Sequence, residues 1–161
     1  MKTKLITPEG YKKLYDEHEH LWLKKRPEIT KIVSWAASLG DRSENADYQY
    51  NKRLLREIDR RVRFLRKLLP ELQVVHHSPA QDGKVFFGAW IHLEDATGAI
   101  NLVRIVGADE FDLKKGWISL KSPLAAALLG KREGDDIVVK LPNGKQELSI
   151  QTVSYDPPGN T

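Results

Sequence analysis

Between Tyr48 and Leu72 the chain carries a regular repeat that narrows its folding options more than any other feature. Tyr48, Asn51, Leu55, Ile58, Val62, Leu65, Leu69 and Leu72 follow one another at 3, 4, 3, 4, 3, 4 and 3. This is the heptad seam of an α-helix that packs against another helix. A stripe that narrow needs a partner, and the preceding segment supplies one. Thr7 and Pro8 suit an N-cap and a first helical position. Tyr11, Leu14, His18 and Leu21 then follow at helical spacing, and Ile32, Trp35 and Leu39 resume the register after a polar middle at Lys25 and Glu28. Pro27 has no N–H to donate and crowds the preceding turn, so it kinks or divides this first helix. Pro70 ends or loosens the second near its base. Residues 8–39 and the helix from Tyr48 onward read as an antiparallel coiled-coil hairpin. An arm of roughly 28 residues spans about 40 Å. A hairpin that buries only its seam projects from the rest; the competing reading folds both helices back into a compact bundle.

From Gln73 the pattern changes to short strands and turns. Val74-Val75, Lys84 to Leu93, Ile100 to Val106, Trp117 to Leu120, Asp136 to Leu141 and Glu147 to Tyr155 are the candidate strands. Asp95-Ala96-Thr97-Gly98 and Asn143-Gly144 supply hairpin turns. Ser122-Pro123 opens a short helix over residues 124–129, closed by Gly130. The fold class is therefore α+β. A coiled-coil hairpin over residues 1–75 is expected to precede a small antiparallel-sheet domain with one helix over 76–156, and residues 157–161 are expected to form a disordered tail.

Charge separates the same two parts. Residues 1–72 hold 17 Lys/Arg against 11 Asp/Glu, a balance of +6, and residues 73–161 hold 9 against 11, a balance of −2. A basic helical half points to a polyanion, because Lys/Arg clusters attract phosphate and release its counterions. The cations are also ordered. Arg53, Arg56, Arg60, Arg63 and Lys67 follow at 3, 4, 3 and 4 on outward heptad positions, with Lys52, Arg61 and Arg66 beside them. This stripe reads either as a contact for RNA or DNA backbone or as a solvated helix face. There is no apolar run of about 18 residues and no hydrophobic leader, so neither a membrane span nor a signal peptide is expected. The chain has no cysteine, which excludes disulfides and cysteine zinc sites and fits a reducing cytoplasm.

Acids gather where the hairpin reverses, in Leu39-Gly40-Asp41-Arg42-Ser43-Glu44-Asn45-Ala46-Asp47. Asp41 and Glu44 are three apart, the spacing of a capping box, and both would suit the positive end of the second helix. The other reading is metal. Mg²⁺ takes hard oxygen ligands, one or two carboxylates with water and phosphate completing the octahedron. Two carboxylates on a turn are too few for a dedicated cage but enough to complete a site begun on another macromolecule. The histidines carry no metal-ligand spacing: His18 and His20 diverge on a helix, and His76 and His77 alternate on a strand. Trp22, Trp35, Trp90 and Trp117 read as core or interface residues. No phosphate-binding glycine loop or catalytic triad stands out.

The run Trp35-Ala36-Ala37-Ser38-Leu39-Gly40-Asp41-Arg42-Ser43-Glu44-Asn45-Ala46-Asp47-Tyr48 closely resembles the bacterial Gre transcript cleavage factors. So do Arg26-Pro27-Glu28 and Glu57-Ile58-Asp59-Arg60-Arg61-Val62. Gly83-Lys84-Val85-Phe86-Phe87-Gly88-Ala89-Trp90 and the long basic stripe favour the GreB branch of that family over GreA. The resemblance implies a transcription elongation factor that binds bacterial RNA polymerase at the rim helices of its secondary channel and inserts its coiled coil. In that setting the matching Asp41 and Glu44 help hold a second catalytic Mg²⁺ shared with the polymerase, and Ser43 positions substrate. The polymerase then cleaves backtracked RNA and resumes elongation from a new 3′ end. The chain is thereby a cofactor rather than an enzyme, with no metal held stably when free. Lys52, Arg53, Arg56, Arg60, Arg61, Arg63 and Lys67 resemble the patch that contacts the nascent RNA, and Ser122 and Pro123 the polymerase-docking loop. The C-terminal domain resembles an FKBP-like fold, which does not by itself imply prolyl isomerase activity. Lys121 and Ala126 stand where relatives often have an acidic or polar residue and an Arg, and Pro70 is a further departure. The alternative functions are a channel-binding regulator that inhibits without cleavage, and a prolyl isomerase or chaperone with the coiled coil as a clamp.

Overall fold

A computed structural model of the protein describes residues 4–40 and 44–157. The chain forms two units, divided between Pro8 and Glu9 and again between Leu72 and Gln73. The first few residues therefore belong with the globular unit, which moves the boundary from the single junction near residue 75 that the sequence suggests. They do so because strand β1 (Lys4–Ile6) pairs with β2 (Leu72–Val74). A strand of three residues has no periodicity of its own to betray it.

The helical unit runs through α1 (Pro8–His20), a π-helical turn (Leu21–Lys25), α2 (Arg26–Ala37) and α3 (Ala46–Leu68). The π turn is how Pro27 divides the first arm. Arg26 N–H donates to Leu21 O, five residues back, so the widened turn accommodates a residue that cannot donate to the preceding turn. Across the seam Ile29 packs with Ile58 and Val62, and Leu21, Ile32, Val33, Leu54 and Leu55 close around them. Arg26 Nε donates to Asp59 Oδ1 at 2.7 Å, joining the start of α2 to the later part of α3, as an antiparallel pair requires. Tyr48, Asn51, Ile58, Val62 and Leu65 of the expected seam are buried and Leu55 is half-buried. The repeat fails at its end, where Leu68 rather than Leu69 is buried and a 3₁₀ turn (Leu69–Glu71) holds Pro70.

In the globular unit β3 (Trp90–Asp95), β4 (Ile100–Val106), β5 (Trp117–Ser119), β6 (Asp136–Leu141) and β7 (Gly144–Ser154) form one sheet in the order β5-β4-β3-β7-β6. The sheet is mixed. Its pairs are antiparallel except β4 with β5, which run parallel. Periodicity identifies a strand but not its direction, which depends on the path from Val106 back to Trp117. Ile105 and Ile118 face each other across β4 and β5, and Ile91 of β3, opposite Val103, lies on the same core face. Leu93, Ile137, Leu148 and Ile150 extend that layer, and Ala125 and Leu128 of α4 (Pro123–Leu128) join the same core. On the opposite face Arg104 lies between Trp90 and Trp117, 4.8 and 5.4 Å from their ring centroids. The guanidinium is buried there and also donates from Nε to Gly88 O at 3.1 Å, so indole faces and a carbonyl replace water around its charge.

Two expected details differ. The segment expected as a strand from Lys84 is a loop up to Trp90, because Gly83 and Gly88 adopt φ of +76° and +87° and turn the backbone. Val85, Phe87 and Ala89 still bury alternately, which explains why the loop imitates a strand. Tyr155 fastens it, donating to Lys84 O at 2.6 Å and accepting from Phe86 N at 2.9 Å. The β6–β7 turn is Pro142-Asn143 rather than Asn143-Gly144, since Leu141 pairs with Gly144.

Glu110 anchors the N-terminal strand. Its carboxylate accepts from Thr7 N at 2.8 Å, Thr7 Oγ1 at 2.5 Å and Gly107 N at 2.9 Å. A Cβ on Gly107 would lie 2.0 Å from Leu5 O, a backbone atom with no rotamer to retreat into. Gly107→Ala is therefore expected to destabilise the globular unit by about 1–3 kcal/mol, the scale of an overpacked core. Calorimetry on the full chain checks this, and an unchanged midpoint would contradict it.

Candidate functional site: the hairpin tip and the basic face of its second helix

The first arm ends in a short sequence of caps. Ser38 Oγ donates to Trp35 O at 2.5 Å, Leu39 N to Ala36 O at 3.2 Å and Gly40 N to Ala37 O at 3.3 Å. Gly40 has φ of +106°, and a Cβ there would meet nothing within 4 Å. Glycine is needed for the backbone conformation, then, and not for space. Asp41, Arg42 and Ser43 lie outside the described residues, so the placement of Asp41 and Ser43 is not described. The chain is described again from Glu44, which is exposed.

Asn45 is the residue that sequence reasoning passed over. It is the N-cap of α3, in extended conformation, with its side-chain oxygen accepting from Tyr48 N at 3.0 Å. Its Nδ2 donates to Ala36 O at 2.8 Å, a carbonyl at the end of the other arm. One amide side chain thus satisfies an orphan donor of α3 and an acceptor of α2. An aspartate could cap but could not donate. The available signal was the asparagine itself, a favoured N-cap residue. This finding removes the capping-box reading of Asp41 and Glu44 for this helix, since Glu44 precedes the cap. Asp47 lies in the first turn, where the helix dipole favours a carboxylate. Inside the seam Asn51 Nδ2 donates to Asp47 O at 2.8 Å.

The basic residues divide into two groups. Arg53, Arg56, Arg60, Arg63 and Lys67 are exposed and, at about 100° per residue, fall in an arc of about 80°. None of the five is paired with a carboxylate among the described residues. Lys52 borders the arc; its ammonium donates to Tyr48 Oη at 3.0 Å and sits 5.1 Å from the Tyr48 ring centroid. Arg61 lies outside the arc. It donates to both Glu17 oxygens, from Nε at 2.6 Å and from Nη2 at 2.9 Å. That bond holds the Glu17 carboxyl below its usual range and raises the Arg61 guanidinium further. Arg61 is an interhelical strut from α3 to α1 and does not sit with the other members of the predicted patch. Arg66 also faces inward, donating to His18 Nε2 at 3.1 Å and lying 4.2 Å from the Trp22 ring centroid.

Ser122 and Pro123 sit at the start of α4, where Ser122 Oγ accepts from Ala125 N at 3.2 Å and Pro123 is exposed. Beside them Lys121, Leu120, Lys4, Leu5 and Asp109 line an open concavity of the globular unit. Among the described residues no three His, Cys, Asp or Glu side chains gather in a way that could hold a metal, and no helix is long and apolar enough to cross a membrane.

The two bonds of Asn45 make separable predictions. Asn45→Ala removes both and is expected to cost about 1–2 kcal/mol, as missing N-caps do. Asn45→Asp keeps the cap and gives up only the donation to Ala36 O, so its cost should be the smaller. Thermal unfolding monitored by circular dichroism measures both; equal costs would show that the cap on Tyr48 N contributes nothing, and an unchanged midpoint for Asn45→Asp would show that the bond to Ala36 O contributes nothing.

Comparison with known proteins places this geometry in a family. The profile described as "Transcription elongation factor, N-terminal" matches residues 4–74, and that described as "Transcription elongation factor, GreA/GreB, C-term" matches residues 80–155. The chain is 59% identical over 157 residues to transcription elongation factor GreB of Vibrio parahaemolyticus, covering 97% of this chain and 96% of that protein. It is 56% identical over 155 residues to GreB of Pseudomonas putida, covering 96% of each. Among solved structures, GreA factor homologue 1 of Thermus thermophilus is 25% identical, covering 93% of this chain and 97% of that one, with a TM-score of 0.42. The two profiles together span both units, and the chain belongs to the GreA/GreB family of transcription elongation factors, on the side of GreB.

Proposed function

We propose that the protein rescues arrested transcription by bringing the hairpin tip into the secondary channel of bacterial RNA polymerase and stimulating cleavage of backtracked RNA. The observation that carries this reading is the exposed Glu44 carboxylate beside a tip whose helix ends are tied by Asn45. That tie reduces the entropy surrendered on ordering the tip against a second molecule.

Within the proposal Asp41 and Glu44 each offer a carboxylate, and the polymerase and its RNA supply the remaining oxygens around a shared Mg²⁺. Carboxylate oxygens are the donors this metal prefers, and two are the number expected when phosphate and water complete the set. Bound there, the metal would orient and acidify a water for attack on a phosphodiester. Ser43 would position the substrate. Arg53, Arg56, Arg60, Arg63 and Lys67, with Lys52 at their border, would hold the extruded RNA by its phosphates. The surface around Ser122 and Pro123 would dock on the channel rim. The chain would then be a cofactor of the polymerase's own nuclease, acting in the cytoplasm where that polymerase is.

The test uses purified polymerase complexes stalled in a backtracked state. With Mg²⁺, the unsubstituted protein should release short 3′ RNA fragments, while the protein alone leaves free RNA intact. Asp41→Ala with Glu44→Ala should slow release by roughly 100-fold or more, the scale of removing a charge-stabilising group at a reacting centre. The doubly substituted protein should still compete with the unsubstituted one for the polymerase. Normal cleavage by the double variant would remove the metal role, and inhibition without cleavage by the unsubstituted protein would favour a purely blocking factor.

A further inference from the structure

One edge of the basic arc on α3 carries two exposed aromatic rings that neither the seam nor the tip uses. Tyr50 is 67% exposed and Phe64 49%. At about 100° per residue Phe64 lies about 20° and Tyr50 about 60° beyond the Arg53 edge of the arc, toward the flank that carries Arg61. They are 14 residues apart, or about 21 Å along the helix. Tyr50 has no aromatic or cationic partner among the described residues. Phe64 is backed on its ring by the Arg61 guanidinium, 5.1 Å from the centroid, and Arg61 is itself fixed by Glu17. Glu57, exposed and lying between the two rings on the same edge, interrupts the positive charge there.

The three features together describe a divided surface. Unpaired cations run along one band, and flat, water-exposed rings with an intervening carboxylate run beside it. Phosphates are attracted to the first and repelled from the second. A base has a π face that stacks on any exposed aromatic ring whatever its sequence, and cations with interleaved aromatics are the usual surface for single strands. A duplex would bury its bases and leave the rings unused.

We propose that Tyr50 and Phe64 are stacking platforms for the bases of a single-stranded RNA whose phosphates lie on Arg53, Arg56, Arg60 and Arg63. This rests on the reading of the basic arc as an RNA contact and adds to it the residues that distinguish a single strand from any other polyanion. Tyr50, just past the tip, takes a base near the hairpin end, and Phe64 takes one further toward the base of the hairpin.

Fluorescence anisotropy on the full chain tests this, with a labelled short oligoadenylate and an abasic phosphodiester strand of the same length as probes. Tyr50→Ala should weaken oligoadenylate binding by about 5- to 150-fold, the range for removing one stacked base. It should leave the abasic strand and the salt slope unchanged, and Tyr50→Trp should restore binding. Phe64→Ala should behave likewise. Arg56→Ala with Arg60→Ala should weaken both probes and lower the salt slope by about 0.7 for each phosphate no longer neutralised. If both probes bind the unsubstituted protein equally, or Tyr50→Ala binds oligoadenylate normally while the arginine variant is impaired, stacking is overturned and the basic contact survives. If the arginine variant binds both probes as the unsubstituted protein does, the basic contact falls and stacking with it.

Discussion

The side chain of Asn45 holds the two ends of the hairpin to each other. By accepting from Tyr48 N and donating to Ala36 O, it fixes where α3 begins relative to where α2 stops. A coiled-coil seam alone does not do this, because a pair of helices can slide by a heptad and repeat the same packing. The Arg26–Asp59 and Arg61–Glu17 bonds add two more fixed points along the unit. Each is worth little in stability at such exposure, on the order of 1 kcal/mol or less. Their contribution is to the register of the two arms.

The cations of α3 show how one helix can separate structural charge from charge left for a partner. Arg61 and Arg66 face the first arm and are used there, by Glu17 and by His18 with Trp22. The five residues of the outer arc have no such partner among the described residues. A uniformly basic helix would give up specificity to neighbouring acids. Here Arg61 takes Glu17 and Arg66 takes His18, and the outer arc remains available to phosphate.

How far this could be read from the sequence depends on whether each feature is local. The 3-4 repeat placed Ile58, Val62 and Leu65 in the seam because burial on a helix follows angle alone. Ile100–Val106 and Asp136–Leu141 were legible with their bounds because alternation and flanking turns are also local. What the sequence could not show was contact across distance. Arg61 has the spacing of a surface cation, and only its meeting with Glu17, 44 residues away, removes it from the patch. β1 exists because β2 is there to pair with it, and the parallel β4–β5 pair depends on the path of a loop. Lys84 to Ala89 alternates like a strand but turns at Gly88. At the tip α3 starts from Asn45 and not from the capping-box spacing of Asp41 and Glu44, because Asn45 accepts from Tyr48 N and carries a donor for Ala36 O as well.

In the proposed role this chain supplies carboxylates to a metal site that another macromolecule completes. Its most direct measurement is the Mg²⁺ dependence of fragment release from backtracked polymerase, with the unsubstituted protein and with Glu44→Gln, an uncharged side chain of nearly the same shape. The unsubstituted protein should lower the Mg²⁺ concentration for half-maximal cleavage relative to polymerase alone. Glu44→Gln should shift that concentration back upward by roughly tenfold or more, equivalent to about 1.4 kcal/mol of metal binding. Identical Mg²⁺ dependence for the two proteins would contradict this role.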